Sequence, residues 1–451
     1  MTDTRTALLE LGEWAAELSW DQVPPWVQDR TALVLLDTLG VTLAGACTPE
    51  VIALRGTWLC ADGPITVIGG GRGTAAHDAM WLNGIAACCL EMDEGNKFAQ
   101  GHPAAHVVFA LLAEAQTRPV TGEQFLLAFL AGHEVASRFG RSMRRRQGLH
   151  THGHWGALGA AVAVARLRGA DAVTTAAAMD AAAGLVLASP WESALRGSFV
   201  RNTWIGSANV AGTVAACLSL AGMAAVDGTA DLTLGHLLGE LDAAPLTAEL
   251  GTRFDIIAGY FKRHSSCSYT HPPIDAVLAL RAQGLVDPDN IGTVLVETNG
   301  LAAPLVSLDL STRLAAMFSI PFTIAVALTE GTVLPPSFDE AHRTDSRLHD
   351  LMAKVEVRRT DAMDARLPAQ RAARVTVTPL SGQQVVLEVP NPVGDADYYP
   401  FGRPEVVTKL EQLLDGETVR VLLRTVDELV RSDDAGALLG RLGTLHGQGS
   451  R

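Results

Sequence analysis

The sequence predicts a mainly α-helical protein with a second, smaller α+β domain. Three observations lead to this fold class. Up to about residue 260, apolar and small residues recur at spacings of three and four, which is typical of packed helices. Between about residues 270 and 390 the pattern changes to the alternation that is typical of strands. The chain has 451 residues, which is long for a single core, so two domains are expected.

Helices are predicted through the first part of the chain. The stretch PPWVQDRTALVLLDTLGVTLAGA (24–46) starts with prolines, which are favoured at helix N-termini, and then repeats apolar residues with helical spacing. A short strand or turn is expected at PITVIGGG (64–71), and a helix at HDAMWLNGIAACCLEM (77–92). Thr121 is the expected N-cap of the next helix. The glycines at 69–73 lack the strand and helix that a dinucleotide-binding turn requires, so a tight turn is expected there.

The strands are predicted in three places. IGTVLVETNG (291–300) and KVEVRR (354–359) alternate, and ARVTVTPLSGQQVVLEV (373–389) has two β-rich runs around a Ser-Gly turn, which indicates a hairpin. Between them, SIPFTIAVALTEG (319–331) is typical of a buried helix.

The domain boundaries follow from where the pattern changes. After PNPVGDADYYPFGRP the chain returns to helical spacing, and these last helices are expected to rejoin the first domain. The prediction is a large all-helical domain of residues 1–265 and 395–451 and a smaller α+β domain of residues 266–394.

Composition and charge limit the class of function. The formal net charge is −14, which argues against nucleic acid as a partner. The six cysteines have no zinc-site spacing and fit a reducing cytosol, so a cytoplasmic protein is expected. The N-terminus lacks the features of a signal peptide. Residues 205–226 are 22 residues without a charge, but small and polar residues among them favour a buried core helix over a membrane span.

The first polar block, CLEMDEGNKFAQGHPAAHVV (89–108), lies within an alanine-rich, apolar region. A carboxylate beside an imidazole is a common general acid/base pair, and Pro103 ends any helix at His102. The alternative is a solvated loop between two helices. The candidate site residues of this block are Glu91, Asp93, Lys97 and His102.

Three further blocks are basic. HTHGHWGALGAA places His150 and His152 at a helix start, where they can point into a cleft; their spacing of two residues does not put them on one helix face, which disfavours a metal site. Arg201 precedes a glycine-containing helix and can bind a carboxylate, or form a structural ion pair. FKRHSSCSYTHPPIDA (261–276), at the proposed domain boundary, adds candidates for a small-molecule site, namely Lys262, Cys267 and His271.

In their order and spacing, these blocks resemble the MmgE/PrpD family, which includes dehydratases, decarboxylases and epimerases of small carboxylic acids. The resemblance rests on LLDTLGVTLAGA, WLNGIAACCLEMDEGN with GHP, AGHEVASRFG, HTHGHWGALGAAVAVARLRG, VRNTWIGSANVAG, FKRHSSCSYTHPPIDA, AMFSIPFTIAVAL and PNPVG, which span nearly the whole chain. It implies a homodimer, a helical domain built from both ends of the chain, an α+β lid, and a cleft site without metal or organic cofactor.

Carried over residue by residue, the resemblance places the family's site residues at positions that partly match. The two histidines are His102 and His150, one lysine is Lys262, and the acid is Glu91, or Asp93 if the register slips. Three positions differ from the decarboxylase pattern: Gly95 stands for a threonine, Arg201 for a lysine, and Cys267 for a histidine, with His271 four residues on.

The resulting prediction is a cofactor-independent lyase that removes a proton α to a carboxylate, with loss of water, from a small polycarboxylate or hydroxy-carboxylate such as a 2-methylcitrate-like acid. Arg201 and Lys262 would neutralise the substrate carboxylate, and His102 and His150 would serve as acid and base in an order that the sequence leaves open. The alternatives are epimerisation or isomerisation, decarboxylation, and a non-catalytic carboxylate-binding homologue.

Overall fold

Most of the chain folds into α-helices. The computed structural model describes residues 3–58 and 60–445. Within these residues the helices, α1 to α20 in chain order, are Thr4–Glu17, Pro25–Ala46, Pro49–Thr57, Ala76–Cys89, Pro103–Ala115, Gly122–Ser142, Gly156–Leu167, Ala172–Ala183, Trp191–Leu195, Val200–Leu220, Ala244–Thr247, His271–Ala282, Arg313–Met317, Ile320–Glu330, Glu340–Arg343, Ser346–Met352, Asp361–Asp364, Arg403–Glu411, Gly416–Leu429 and Ala435–Gly440. The strands described, β1 to β10, are Asp62–Thr66, Gly73–Thr74, Gly95–Asn96, Met143–Arg145, Gly239–Leu241, Gly259–Tyr260, Ile291–Thr298, Val355–Arg359, Ala373–Pro379 and Val385–Val389.

The larger hydrophobic core is helical and contains both ends of the described chain. It combines side chains of α1 to α8 and α10 with those of the last three helices, α18 to α20. α18 and α19 pack on α2, and α20 packs on α5. The C-terminal helices therefore lie against the segment that follows α4, where the polar block of residues 89–108 is found.

The smaller core is built around one four-stranded sheet. Its strand order is β10-β9-β7-β8; β7 and β8 are parallel and the other pairs are antiparallel. β9 and β10 form the predicted hairpin, with Val377 opposite Val385. α12 and α14 cover the sheet and bury its apolar side chains. The prediction of a mainly α-helical protein with some β structure is confirmed.

Local sequence signals account for several helix boundaries. The Thr121 side chain accepts a hydrogen bond from the Gln124 backbone N–H, and the Gln124 side chain accepts one from Thr121 N–H, which forms a capping box at the start of α6. Pro25 occupies the first turn of α2, where its missing N–H costs no hydrogen bond. Ser319 caps α14 by accepting from Phe322 N–H.

The long apolar helix α10 is a central packing element. By length and composition it could span a membrane, but more than half of it is buried within the protein. It packs against α4, α7 and α8. The contact with α4 is close because glycines face each other: a Cβ on Gly84 would lie 2.6 Å from the backbone nitrogen of Gly206.

This contact gives a stability prediction. Replacing Gly84 by Ala forces backbone of α4 and α10 apart, so we expect the free energy of unfolding to fall by about 1–3 kcal/mol. Gly56→Ala is the matched control, since nothing lies within 4 Å of its Cβ position and alanine is the better helix former by about 1 kcal/mol at most. Urea denaturation of both variants measures the difference. Equal effects of the two changes would contradict close packing at Gly84.

Candidate active site

A small cavity of about 40 Å³ lies between the two cores. Its lining combines side chains from the helical core with others from the α+β part of the chain. Of the residues that the sequence singled out, those lining the cavity are Glu91, Lys97, His102, His150, Arg201 and Cys267. The four blocks that are distant in sequence therefore meet at one place.

The carboxylates of the first block project from a short segment that follows α4. α4 ends at Cys89, and Glu91 adopts a φ of 51°, in the left-handed region that residues other than glycine seldom occupy. Such a conformation costs of the order of 1–3 kcal/mol and is commonly found at functional sites. Glu91 and Asp93 both contact Lys262, with Nζ–O distances of 3.1 and 3.2 Å.

A buried ionic cluster results. Arg201 Nη1 forms an ion pair with Glu91, whose other carboxylate oxygen bonds Lys262. All four charged side chains, Glu91, Asp93, Arg201 and Lys262, are essentially inaccessible to solvent, and their formal charges sum to zero. Burial alone would raise the pKa of Asp93, but His102, Lys262 and Arg201 outweigh it and hold that pKa below its ordinary value.

His102 is held in one tautomer. Its Nδ1 lies 2.7 Å from the carbonyl oxygen of Glu94, which can only accept, so Nδ1 carries the proton. Asp93 Oδ2 lies 3.1 Å from the same nitrogen and favours the same arrangement. Burial lowers the pKa of His102 to about 3, against the opposing charge of Asp93. The neutral ring keeps Nε2 unprotonated, and this nitrogen can accept a proton.

His150 is held in the opposite tautomer. The backbone N–H of His152 donates to His150 Nδ1 at 3.0 Å, so Nδ1 is unprotonated and Nε2 carries the proton. The ring stacks on Trp191, with a centroid distance of 5.1 Å. Burial, helped by the charges of Arg201 and Arg145, lowers the pKa of His150 well below its ordinary value. Neutral His150 can therefore donate a proton from Nε2.

His152 lies between these two imidazoles, 5.1 Å from the His102 ring and 4.3 Å from the His150 ring. In the described residues, Asp93, His102 and His152 form a group whose potential metal-binding atoms lie within 4.8 Å of one another. The ammonium of Lys262 bonds Asp93, and Arg201 Nη2 lies 3.5 Å from His152 Nε2. Two cations this close oppose the binding of a divalent metal ion.

The order of these blocks and the architecture agree with one family of enzymes. The MmgE/PrpD N-terminal domain matches residues 9–236, which is more than half of the chain, and the MmgE/PrpD C-terminal domain matches residues 264–427. The chain belongs to the MmgE/PrpD family. The resemblance predicted from the sequence is confirmed.

Two curated relatives of this MmgE/PrpD protein are similar to it over most of its length, and a third over less than half. A cis-aconitate decarboxylase of Aspergillus terreus (strain NIH 2624 / FGSC A1156) is 24% identical over 455 residues, covering 94% of this chain and 92% of the relative. A second, from Aspergillus terreus, is 24% identical over 93% of this chain and 92% of the relative. The cis-aconitate decarboxylase-like protein oryM of Aspergillus oryzae (strain ATCC 42149 / RIB 40) is 29% identical over 42% of each chain. Membership and relatives confirm the prediction of an enzyme.

At Gly95 the sequence departs from the family pattern. A residue from another element occupies the space of the missing side chain. A Cβ on Gly95 would collide with the phenol ring of Tyr260, and β3 and β6 pair at these two residues. Tyr260 also lines the cavity. The Tyr260 hydroxyl therefore occupies the space that a side chain at position 95 would need.

The remaining candidate residues occupy different positions. Lys97 lines the cavity but bonds two carboxylates, Asp395 at 2.8 Å and Asp397 at 2.6 Å. Burial raises the pKa of the Cys267 thiol to about 11, so it is protonated at neutral pH and is a poor nucleophile. The side chain of His271 bonds the carbonyl oxygen of Ser266 through Nε2.

A second buried pair fixes the segment that carries the carboxylates. Lys409, on α18, donates to the carbonyl oxygen of Met92 at 2.7 Å and to Asp37 Oδ1 at 2.6 Å. Met92 lies between Glu91 and Asp93, so Lys409 anchors the backbone between the two carboxylates that Lys262 contacts. Sequence reasoning missed Lys409 and Asp37, since both lie in ordinary helical patterns.

Sequence reasoning also missed cavity residues from the α+β part of the chain. Arg371, just before β9, and Phe318, after α13, line the cavity, as does Trp191 of α9. No motif surrounds Arg371; the only local signal is a basic residue at the start of a predicted strand. Its position depends on how the sheet packs on the helical core.

The Lys409–Asp37 pair gives a second stability prediction. Lys409→Met leaves the Asp37 carboxylate buried without its cation, so we expect the free energy of unfolding to fall by about 3–5 kcal/mol. The double variant Asp37→Asn/Lys409→Met removes both charges and should recover more than half of that loss. Denaturant unfolding measures both.

Arg403→Met is the control on the same helix, because Arg403 pairs with Asp427 at the surface; its effect should stay below about 1 kcal/mol. A Lys409→Met variant as stable as the Arg403→Met control would show that the buried pair does not hold this segment.

Proposed function

We propose that this enzyme is a cofactor-independent lyase that removes water from a small hydroxy-carboxylic acid after abstracting a proton α to a carboxylate. One observation carries the proposal. His102 and His150 have opposite tautomers, so one buried cavity has an imidazole that accepts a proton and another that donates one. Dehydration requires both groups.

The proposed reaction uses each histidine once. His102 Nε2 takes the proton from the α-carbon, and the electron pair of the broken C–H bond forms the carbon–carbon double bond. The C–O bond to the hydroxyl group breaks, and the leaving oxygen takes the proton from His150 Nε2, so water departs. His102 ends as an imidazolium cation and His150 as an imidazolate anion next to the Arg201 charge, and proton exchange with solvent returns both rings to their neutral forms.

Charge develops on the substrate carboxylate when the α-proton leaves, and a buried cation stabilises it. Arg201 lines the cavity, and among residues 3–58 and 60–445 its buried Nε–H has no hydrogen-bond partner. This donor is available to a substrate oxygen. Lys262 lies behind Glu91 and Asp93, and its charge compensates theirs. We therefore assign carboxylate binding at this end to Arg201 and cluster neutrality to Lys262.

Decarboxylation is the second candidate, and the names of the relatives favour it. In that reaction the C–C bond to a carboxylate breaks, carbon dioxide leaves, and the remaining electron pair takes a proton. Only a donor is required, and His150 Nε2–H would supply it. The same pair of histidines would epimerise an acid that lacks a leaving group. We further propose that the protein acts in the cytoplasm as a homodimer.

The proposal predicts proton exchange at the α-carbon. Incubation of the enzyme in D₂O with a panel of hydroxy-acids and unsaturated acids should exchange the α-proton of its substrate and release water, as followed by proton NMR. His102→Gln should lower kcat by about 10²–10⁴ because the base is lost.

His150→Gln should lower dehydration to a similar extent, since the leaving hydroxyl loses its donor. His349→Gln, a histidine bonded to the carbonyl of Arg343 at the surface, is the control and should leave kcat unchanged. Carbon dioxide release that survives His102→Gln would favour decarboxylation. Wild-type rates in both site variants would rule out the histidine pair.

The lowered pKa of His102 predicts an unusual pH dependence. A free histidine gains a proton near pH 6.5, whereas His102 stays neutral until about pH 3, so kcat/KM should stay flat between pH 7.5 and 5.5. As pH falls below 6.5, His102 takes up a proton in the unfolded chain but stays neutral in the folded protein. His102 therefore lowers the free energy of unfolding as the pH falls. Steady-state rates across this range test the first expectation. A loss of kcat/KM with a midpoint near 6.5 that disappears in His102→Gln would contradict a neutral base.

A further inference from the structure

The end of the cavity formed by Lys97 and Arg371 has more buried positive charge than buried negative charge. Lys97, Arg371 and Asp395 are all buried, whereas the Asp397 side chain is 65% exposed. Asp395 bonds both cations, Lys97 through Oδ1 at 2.8 Å and Arg371 through Oδ2 at 3.0 Å. One carboxylate therefore balances two buried cations, and the second carboxylate is screened by water.

The ionic cluster at Arg201 is balanced. There Glu91 and Asp93 face Arg201 and Lys262, two charges of each sign. Burying a charge that no partner compensates is costly, so a surplus at one end indicates that an anion completes it. Arg371 comes from the α+β part of the chain, and Lys97 from the segment between α4 and α5.

Arg371 is the cation that has a free donor. Its guanidinium lies 4.0 Å from the centroid of the Tyr260 ring, which fixes its plane, and Nη2 bonds Asp395. Its backbone N–H donates to Asn391 at 3.0 Å, which anchors the main chain. Only 4% of the side chain is exposed, and Nε–H has no hydrogen-bond partner in the part of the chain that the structure describes. The residue also lines the cavity.

We propose that Arg371 binds a second carboxylate, at the end of the substrate remote from Arg201, and that it selects dicarboxylates over monocarboxylates. This inference rests on the proposed function, in which Arg201 binds the first carboxylate. Asp395 orients Arg371 and, through Lys97, links the α+β part of the chain to the loop that carries His102. A guanidinium held in this way offers a pre-oriented donor to a carboxylate.

The test is the binding of two probes, succinate and propionate, measured by isothermal titration calorimetry. We expect wild-type enzyme to bind succinate at least tenfold more tightly than propionate. Arg371→Met should weaken succinate binding at least tenfold and change propionate binding less than threefold. Arg371→Lys should recover part of the loss. Arg374→Met is the matched control on the adjoining strand, since Arg374 pairs with Glu388 at the surface, and should change neither affinity.

In the Arg371→Met variant, Asp395 keeps Lys97 as its ion-pair partner. If that variant does not fold, the double variant Arg371→Met/Asp395→Asn takes its place. Equal affinity for succinate in wild type and Arg371→Met, equal losses for both acids, or binding of neither acid by wild type would overturn the proposal. The proton-exchange experiment is separate: binding that follows the expected pattern without exchange or turnover would reject the lyase and retain the Arg371 site.

Discussion

The contact of one lysine with two carboxylates organises this site. Lys262 reaches Glu91 and Asp93 from the segment that joins the two cores, and both acids come from a strained stretch after α4. Without that ammonium the two carboxylates would repel each other in a region closed to water. Because Asp93 stays ionised, it favours the proton on Nδ1 of His102. The unprotonated Nε2 on the other side of the ring thus depends on the charge balance between Lys262 and the two carboxylates.

The two parts of the chain contribute different things to the cavity. The helical core holds the histidines on connections between buried helices, where backbone groups fix their tautomers. The α+β part contributes Arg371, whose placement depends on a contact between the cores. The groups proposed to move protons therefore belong to one core, and the group proposed to recognise the substrate belongs to the other. This division would let recognition change in a related protein without changing the acid/base pair.

Local sequence patterns were sufficient to predict many of the secondary-structure elements and some residues of the site. Helical spacing, the Thr121 cap and the Ser-Gly hairpin are short-range features, and the structure contains each of them. The histidines stood out because polar residues interrupt apolar sequence. The tautomers could not be read in this way, since they depend on which backbone group faces each ring. Lys409 and Arg371 were missed for a related reason: their partners, Met92 and Asp395, are identified only by tertiary packing.

The bond from Lys409 to Met92 joins positions that are 317 residues apart in sequence. During synthesis the histidines and both carboxylates leave the ribosome long before α18 does. The segment between Glu91 and Asp93 therefore lacks its anchor until nearly the whole protein has been made. An unfinished chain would therefore have the histidines and carboxylates of the site without the Lys409 contact that anchors the backbone between the two carboxylates.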